Sequence, residues 1–223
     1  MKRRIIITSD GSKTIHLEDW NEQYHSKHGA IQEAYHVFIE HGLKCFQNRH
    51  INLLEIGFGT GLNALISLIE SKNLGLGINY VGVEAYPVLE NEIRKLNYID
   101  MLNASDFQEA FSSMHNSDWN KPIAVTSAFN LTKQRKDFST ISDVGLFNLI
   151  YFDAFGARVQ PELWTVTIFQ KMYTALDWNG ILVTYSAKGS VRRAMQEVGF
   201  KVERLPGPPG KREMLRGVKS RLL

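Results

Sequence analysis

The chain has 223 residues, enough for one α/β domain with a full core, and its 43% apolar and 22% charged residues are typical of globular proteins. No run approaches the roughly 18 apolar residues of a membrane span. The only cysteine, Cys45, excludes an internal disulfide and predicts a cytoplasmic location. The net charge of +3 is uneven, because residues 188–223 hold 10 of the 26 Lys and Arg residues but 3 of the 23 Asp and Glu residues. Such a basic segment indicates either an anionic partner, with nucleic acid first, or a solvated basic edge.

Residues 1–50 are predicted to form an extension packed on a core domain of residues 51–223. Residues 4–8 and 14–18 flank an Asp-Gly turn, which predicts a β-hairpin. Apolar residues between positions 30 and 46 then predict an amphipathic helix. His25 and His28 lie before that helix, but no cysteine or acid at ligand spacing joins them, so no metal site is expected.

The strongest signal in the sequence is an apolar run that ends in an acid and three glycines. Residues 51–56 are apolar on both faces, which predicts a buried parallel strand, and a helix is expected from Leu62 to about Lys72. A dinucleotide-binding loop would need a further glycine at position 62, which is leucine. The order of strand, acid and glycines instead resembles the first motif of S-adenosylmethionine-dependent methyltransferases. The residues of this motif are Glu55, Gly57, Gly59 and Gly61.

Acids also end the second and fourth predicted strands. Residues 78–84 end in Glu84, where a carboxylate can accept hydrogen bonds from both hydroxyls of a ribose. Residues 146–153 end in Asp153, which should lie beside the glycine loop because ligands of open α/β sheets bind at the carboxyl ends of the strands. The sequence therefore predicts that these acids meet at one edge of the sheet.

Between those two strands the sequence predicts a third strand at 123–128 and a polar helix at 132–141. The Gly-Asp with which many methyltransferases bind the adenine amine does not follow this strand, so Asn130 or a backbone group would have to replace it. Pro87 is expected to open a helix, since proline favours the first helical turn.

The C-terminal part is predicted to contain a fifth strand at 181–185, a helix at 188–198 and a final strand pair at 200–205 and 213–218. The whole pattern predicts an α/β, Rossmann-like fold of the class I methyltransferase type. Its sheet would have seven strands, mostly parallel, with an antiparallel last strand and the N-terminal β-hairpin as an addition.

Several segments together resemble one family, the methyltransferase domain of the tRNA 5-methylaminomethyl-2-thiouridine biosynthesis protein (MnmC type). They are LEIGFGTGLN at 54–63, FDAF at 152–155, QPELWT at 160–165, TYSAKG at 184–189 and GKREML at 210–215. The resemblance implies N-methylation of 5-aminomethyl-(2-thio)uridine at the tRNA wobble position by S-adenosylmethionine, which gives the 5-methylaminomethyl nucleoside. Many relatives carry an additional FAD-dependent oxidoreductase. No second glycine fingerprint precedes Leu223, so the stand-alone form is expected, acting on the anticodon stem-loop after a separate oxidoreductase or another enzyme that supplies the aminomethyl group.

The resemblance also implies roles for individual residues. Asp153 would bind and orient the substrate ammonium first and accept or relay its proton second, because a carboxyl group with a pKa near ~3.9 is a weak base. The wobble base would stack on aromatic side chains, and basic side chains would hold the phosphates. The cofactor-binding residues would be Glu55, Gly57, Gly59, Gly61, Asn63, Glu84 and Asp153. The substrate- and RNA-binding residues would be Tyr24, Phe155, Tyr185, Lys188, Arg192, Arg193, Lys211 and Arg212.

Two other functions remain open. A methyltransferase of a small-molecule or protein amine would leave the basic C-terminal segment without a partner. A non-catalytic RNA-binding protein on a methyltransferase fold would have no need of the intact acids and glycines.

Overall fold

The computed structural model describes residues 2–221 and contains a small N-terminal sheet beside a large central one. The N-terminal strands are β1 (Arg3–Ile7), β2 (Lys13–Leu17) and β3 (Glu22–Gln23). The central strands are β4 (His50–Ile56), β5 (Gly77–Glu84), β6 (Pro122–Thr126), β7 (Phe129–Arg135), β8 (Phe147–Phe152), β9 (Leu176–Thr184), β10 (Lys201–Pro206) and β11 (Glu213–Val218). The α-helices are α1 (Ala30–Ala34), α2 (Leu62–Asn73), α3 (Glu90–Ile93), α4 (Tyr98–Met101), α5 (Gln108–Asn116), α6 (Val166–Ala175) and α7 (Gly189–Glu197).

The central sheet has the order β10-β11-β9-β8-β4-β5-β7-β6. Five neighbouring strands are parallel to one another, in the sheet order β9-β8-β4-β5-β7. Strand β11 is antiparallel to both of its neighbours, β9 and β10. Chain order reverses at β4, whose neighbours are β5 and β8, so the ends of these three strands form the crevice in which open α/β sheets bind ligands. The Rossmann-like fold with an antiparallel last strand is confirmed.

A strand forms near the predicted position 123–128, but it is not the third parallel strand, and the predicted polar helix at 132–141 is wrong. Residues 122–126 form β6, an edge strand antiparallel to β7, and the third parallel strand is β7 itself. In β7, the buried side chains of Phe129, Leu131 and Lys133 alternate with more exposed ones, the period-2 pattern of a strand, which the polar residues of this segment concealed. Only residues 138–140 form a helical turn. The central sheet described here therefore has eight strands rather than seven.

The segment around Pro87 also differs from the prediction, because α3 begins at Glu90 rather than at the proline. Arg3 of β1 holds this segment: its guanidinium donates to the carbonyls of Tyr86 (3.1 Å) and Pro87 (3.3 Å) and pairs with Glu92 at 3.0 Å. The N-terminal sheet is thus tied to the crevice beside β5.

The predicted amphipathic helix is shorter and irregular. It starts at α1, continues as a wider π-helical turn at Tyr35–Glu40 and ends before a 3₁₀ turn at Leu43–Cys45. Its apolar side chains, among them Val37 and Phe38, pack in the same core as Leu53 of β4 and Leu65 of α2. A second apolar core, which includes Leu54 and Phe152, covers the other face of the sheet. No helix within residues 2–221 is long and apolar enough to span a membrane.

Candidate active site

Two cavities meet at the carboxyl end of β8. The first, of about 770 Å³, lies over the glycine loop between β4 and α2, and the second, of about 600 Å³, lies between the N-terminal segment and the loop that joins β10 to β11. Because the same side chains line both, a group bound in one cavity would lie close to a group bound in the other. The shared residues are Tyr24, His25, Asn63, Asp153, Ala154 and Phe155.

The glycine loop brings backbone close to the first cavity. Gly57 has φ of +93°, and a Cβ there would lie 2.7 Å from the carbonyl oxygen of Asp153. Gly59 has φ of +49°, and its Cβ would lie 3.1 Å from the ring of Tyr24. Both positions favour glycine through backbone conformation and crowding. Gly61 precedes α2 and, among the described residues, is not part of either cavity wall.

Glu84 presents a fixed carboxylate to the first cavity. The residue is 8% exposed, and its two oxygens accept hydrogen bonds from the backbone N–H groups of Gly59 (3.0 Å) and Tyr86 (2.8 Å). Burial raises the pKa of Glu84, against the opposing effect of these hydrogen bonds. Each oxygen has a further lone pair free for a ligand hydroxyl.

Asn63 joins two acids, the buried Glu55 and the half-buried Asp153. Its amide nitrogen donates to Glu55 (2.8 Å) and to Asp153 (2.9 Å), while Tyr80 donates its hydroxyl to the other oxygen of Glu55 at 2.8 Å. Glu55 therefore lies beneath the loop, outside both cavity walls, and supports Asn63 from behind. Burial raises the pKa of both Glu55 and Asp153. Among residues 2–221 the amide oxygen of Asn63 has no hydrogen-bond partner although it is buried, so a donor on a ligand would complete it.

The corrected strand position reveals an acid where the sequence predicted none. Because the third parallel strand is β7, Asp137 lies two residues beyond its carboxyl end, and Asn130 lies within the strand instead. Asp137 lines the first cavity together with Phe138 and Ser139. One of its oxygens accepts hydrogen bonds from the hydroxyl of Ser139 and from the backbone N–H of Ser139 (2.8 Å), and these two bonds lower the pKa of Asp137. An acid two residues after Arg135 would have been found if the alternation of β7 had been recognised.

The second cavity has aromatic and charged walls. The ring of Phe155 meets Tyr24 edge-on at 4.9 Å between centroids, and the hydroxyl of Tyr185 donates to the carbonyl of Ala154 at 2.8 Å. The side chain of Lys211 is only partly exposed, at 32%, and is held in an ion pair. Its ammonium points into this cavity, 2.6 Å from Glu33. Glu33 is part of no local sequence motif, so the sequence did not predict it as a site residue.

The other basic residues lie nearer the surface. Lys188 lines the rim of the second cavity and precedes α7, where Arg193 is exposed and Arg192 half-buried. Arg212 is exposed beside Lys211. Within the described residues no three His, Cys, Asp or Glu side chains are grouped to hold a metal ion. His25 instead bonds to the hydroxyl of Thr14 at 2.9 Å.

Comparison with known proteins agrees with this geometry. A family described as S-adenosyl-L-methionine-dependent methyltransferase matches residues 121–220. The tRNA 5-methylaminomethyl-2-thiouridine biosynthesis bifunctional protein MnmC of Burkholderia multivorans is 27% identical over 215 residues, which cover 89% of this chain and 32% of that protein. These similarities support an S-adenosylmethionine-dependent methyltransferase domain of the MnmC type.

The solved structures support the same fold. MNMC2 from Aquifex aeolicus superposes with a TM-score of 0.77 at 23% identity, covering 99% of this chain and 71% of the other. Spermidine synthase from Thermotoga maritima superposes with a TM-score of 0.54 at 14% identity, covering 97% and 73%. The chain spans about a third of the length of the MnmC protein from Burkholderia multivorans. Family and fold imply S-adenosylmethionine as the methyl donor.

Proposed function

We propose that this chain methylates the exocyclic amine of 5-aminomethyl-(2-thio)uridine at the wobble position of tRNA. The observation that carries the proposal is the charge of the second cavity. There Glu22 pairs with Arg158 (3.0 Å) and Glu33 with Lys211 (2.6 Å), whereas the side chain of Asp153 is bonded to the neutral amide of Asn63. The two other cations of this cavity, Lys27 and Lys188, are exposed, so the carboxylate of Asp153, at the junction with the first cavity, remains for the substrate ammonium.

The first cavity fits S-adenosylmethionine in the chemistry of its walls. Glu84 would accept the ribose hydroxyls, and the free oxygen of Asp137 would accept the adenine amine. Gly59 leaves room for the ligand beside Tyr24, and the unpartnered amide oxygen of Asn63 would accept from the ammonium of the amino-acid part. When bound, the sulfonium supplies a methyl group, whose bond to sulfur breaks as the bond to the amine nitrogen forms, with the electron pair left on sulfur.

Asp153 would then act on the amine and on its proton. A free alkyl amine has a pKa near ~10, so it arrives as a cation that a buried carboxylate attracts. Asn63 holds the carboxylate in place with a hydrogen bond of 2.9 Å. The amine must lose one proton to attack, and Asp153, whose pKa is raised by burial, is a better acceptor than an exposed aspartate.

The proposed tRNA substrate also accounts for the walls and rim of the second cavity. A base from a single-stranded loop can be inserted between aromatic side chains, here Tyr24 and Phe155. The basic residues Lys188, Arg193 and Arg212 would contact phosphates, with Arg192 behind them. The names of the MnmC relatives specify 5-methylaminomethyl-2-thiouridine, which is the product of the proposed reaction. A separate FAD-dependent oxidoreductase, or another enzyme that makes the aminomethyl group, would supply this substrate.

The test is incubation with labelled S-adenosylmethionine and tRNA that lacks this methylation, followed by nucleoside mass spectrometry. We expect 5-methylaminomethyl-(2-thio)uridine from wild type, strong loss in Asp153→Asn with little change in cofactor affinity, and full activity in the exposed control Asp106→Asn. Methylation of a free amine but not of tRNA would replace the proposal with a small-molecule enzyme. Tight tRNA binding without S-adenosylmethionine binding would replace it with a non-catalytic module.

A second experiment locates the phosphate contacts. Arg193→Ala combined with Arg212→Ala should weaken tRNA binding and flatten its salt dependence by about one to two units of slope. The control is Lys2→Ala with Arg4→Ala at the other end of the chain, because Arg3 is part of the first cavity wall. Equal slopes in wild type and the C-terminal variant would exclude this face.

A further inference from the structure

Lys211 carries a charge that is fixed inside the second cavity. Its ammonium lies 2.6 Å from an oxygen of Glu33 and 3.9 Å from the centre of the Tyr185 ring. Glu33 is 8% exposed, and its other oxygen accepts the backbone N–H of Ser26 at 2.8 Å. Holding a lysine side chain in one rotamer costs conformational entropy, which these contacts offset. The surroundings therefore hold this cation at one place.

The position of Lys211 makes its charge felt at Asp153. Both residues line the second cavity. Burial and the nearby Glu33 charge raise the pKa of Asp153, and the Lys211 charge opposes that rise. The titratable and charged groups that line the same cavity as Lys211 are Glu22, Tyr24, His25, Lys27, His28, Glu33, Asp153, Arg158, Tyr185 and Lys188.

The proposed reaction creates a need for such a charge. Asp153 attracts the substrate as an ammonium, yet an ammonium has no lone pair with which to attack. A like charge nearby disfavours the protonated amine, typically by one or more pKa units at close range. The amine and Asp153 titrate as a coupled pair, so a cation near both moves the pair towards the neutral amine.

We infer that Lys211 is a positioning residue for proton loss: its fixed ammonium lowers the pH at which the bound acceptor amine becomes neutral, with Glu33 setting the place of that charge. The inference rests on the proposed function. The proton leaves the amine for Asp153 or for water beyond it, and no other reactant is needed.

The experiment measures the single-turnover methylation rate against pH at saturating S-adenosylmethionine and tRNA, because this rate reports groups in the bound complex. Lys211→Met should move the midpoint to higher pH by about one unit, so that the rate falls about tenfold below the midpoint and recovers above it. Lys211→Arg keeps the charge and should keep the midpoint. Glu33→Gln removes a negative charge and should move the midpoint to lower pH. Lys27→Met, which removes an exposed lysine in the wall of the same cavity, should leave it unchanged.

The outcomes separate the two proposals. A wild type that does not methylate the tRNA overturns the proposed function. An active wild type with equal midpoints in Lys211→Met and Lys211→Arg overturns the role of Lys211, as does a uniform loss of rate at every pH. If Lys211→Met does not bind S-adenosylmethionine, the pH profile of Glu33→Gln tests the inference by itself. A midpoint in Glu33→Gln that is equal to or higher than that of wild type then refutes the inference.

Discussion

Replacement of Glu84 by alanine should weaken S-adenosylmethionine binding more than any other single change in the wall of the first cavity. The wild-type carboxylate is held by the backbone N–H groups of Gly59 and Tyr86 at 3.0 and 2.8 Å, so it needs no reorganisation to meet two hydroxyls. Hydrogen bonds to a charged group contribute about 1.5–3 kcal/mol. Their loss corresponds to a roughly 10- to 150-fold higher Kd.

The assay is calorimetric titration with S-adenosylmethionine and with S-adenosylhomocysteine. Glu84→Gln is the matched variant, because it keeps the size of the side chain and one acceptor oxygen. Its amide NH₂ would face one of the two backbone N–H groups that the carboxylate accepts from, so its affinity for S-adenosylmethionine should also fall. Affinity should fall further as pH drops through the raised pKa of Glu84, since protonation removes an acceptor.

A ligand without ribose hydroxyls separates direct contact from support of the loop. The 2′,3′-dideoxy form of S-adenosylhomocysteine should bind wild type weakly and lose almost nothing more in Glu84→Ala, because the variant and the analogue remove the same bonds. Fully additive losses, or an unchanged Kd in a folded Glu84→Ala protein, would refute the ribose contact.

Three further predictions address the loop, the adenine acid and pH. Gly59→Val should lower the unfolding free energy by about 1–2 kcal/mol because the residue has a positive φ, and it should also weaken cofactor binding because the new side chain contacts Tyr24. The control Gly145→Val, at a φ of +58° in open space, should lower the unfolding free energy without changing cofactor binding. Equal Kd values in the two variants would contradict this prediction. Asp137→Ala should raise the Kd for S-adenosylmethionine about 5- to 20-fold, measured by titration, because it removes one charged hydrogen bond from an exposed acid, and an unchanged Kd would exclude the adenine contact. Burial lowers the pKa of His115 to about 4, so its contribution to stability, about 3 kcal/mol, should be present above pH 6.5 and be lost as the pH falls to 4. Chemical denaturation of His115→Gln should show a flatter pH dependence, and an equal slope would contradict it.

The sequence by itself determined the parallel core and the glycine loop. Strands β4 and β8 carry apolar residues on both faces, which is typical of strands buried on both sides of a parallel sheet. The glycines after β4 fix a sharp local turn, and acids at strand ends fall on one edge because parallel strands share a direction. These signals lie within about ten residues of chain, so local physical chemistry was sufficient to place Glu84 and Asp153 at the crevice.

The tertiary structure alone decided which strand lies third and where side chains point. From the sequence, the polar residues of β7 predict a solvated helix. In the structure the segment is a strand because it pairs with β5 on one side and with β6 on the other, and this pairing places Asp137 at the first cavity. Lys211 belongs by composition to a basic surface, yet it meets Glu33, 178 residues earlier in the chain. Pairings over such separations depend on the packed fold, because no local propensity encodes them.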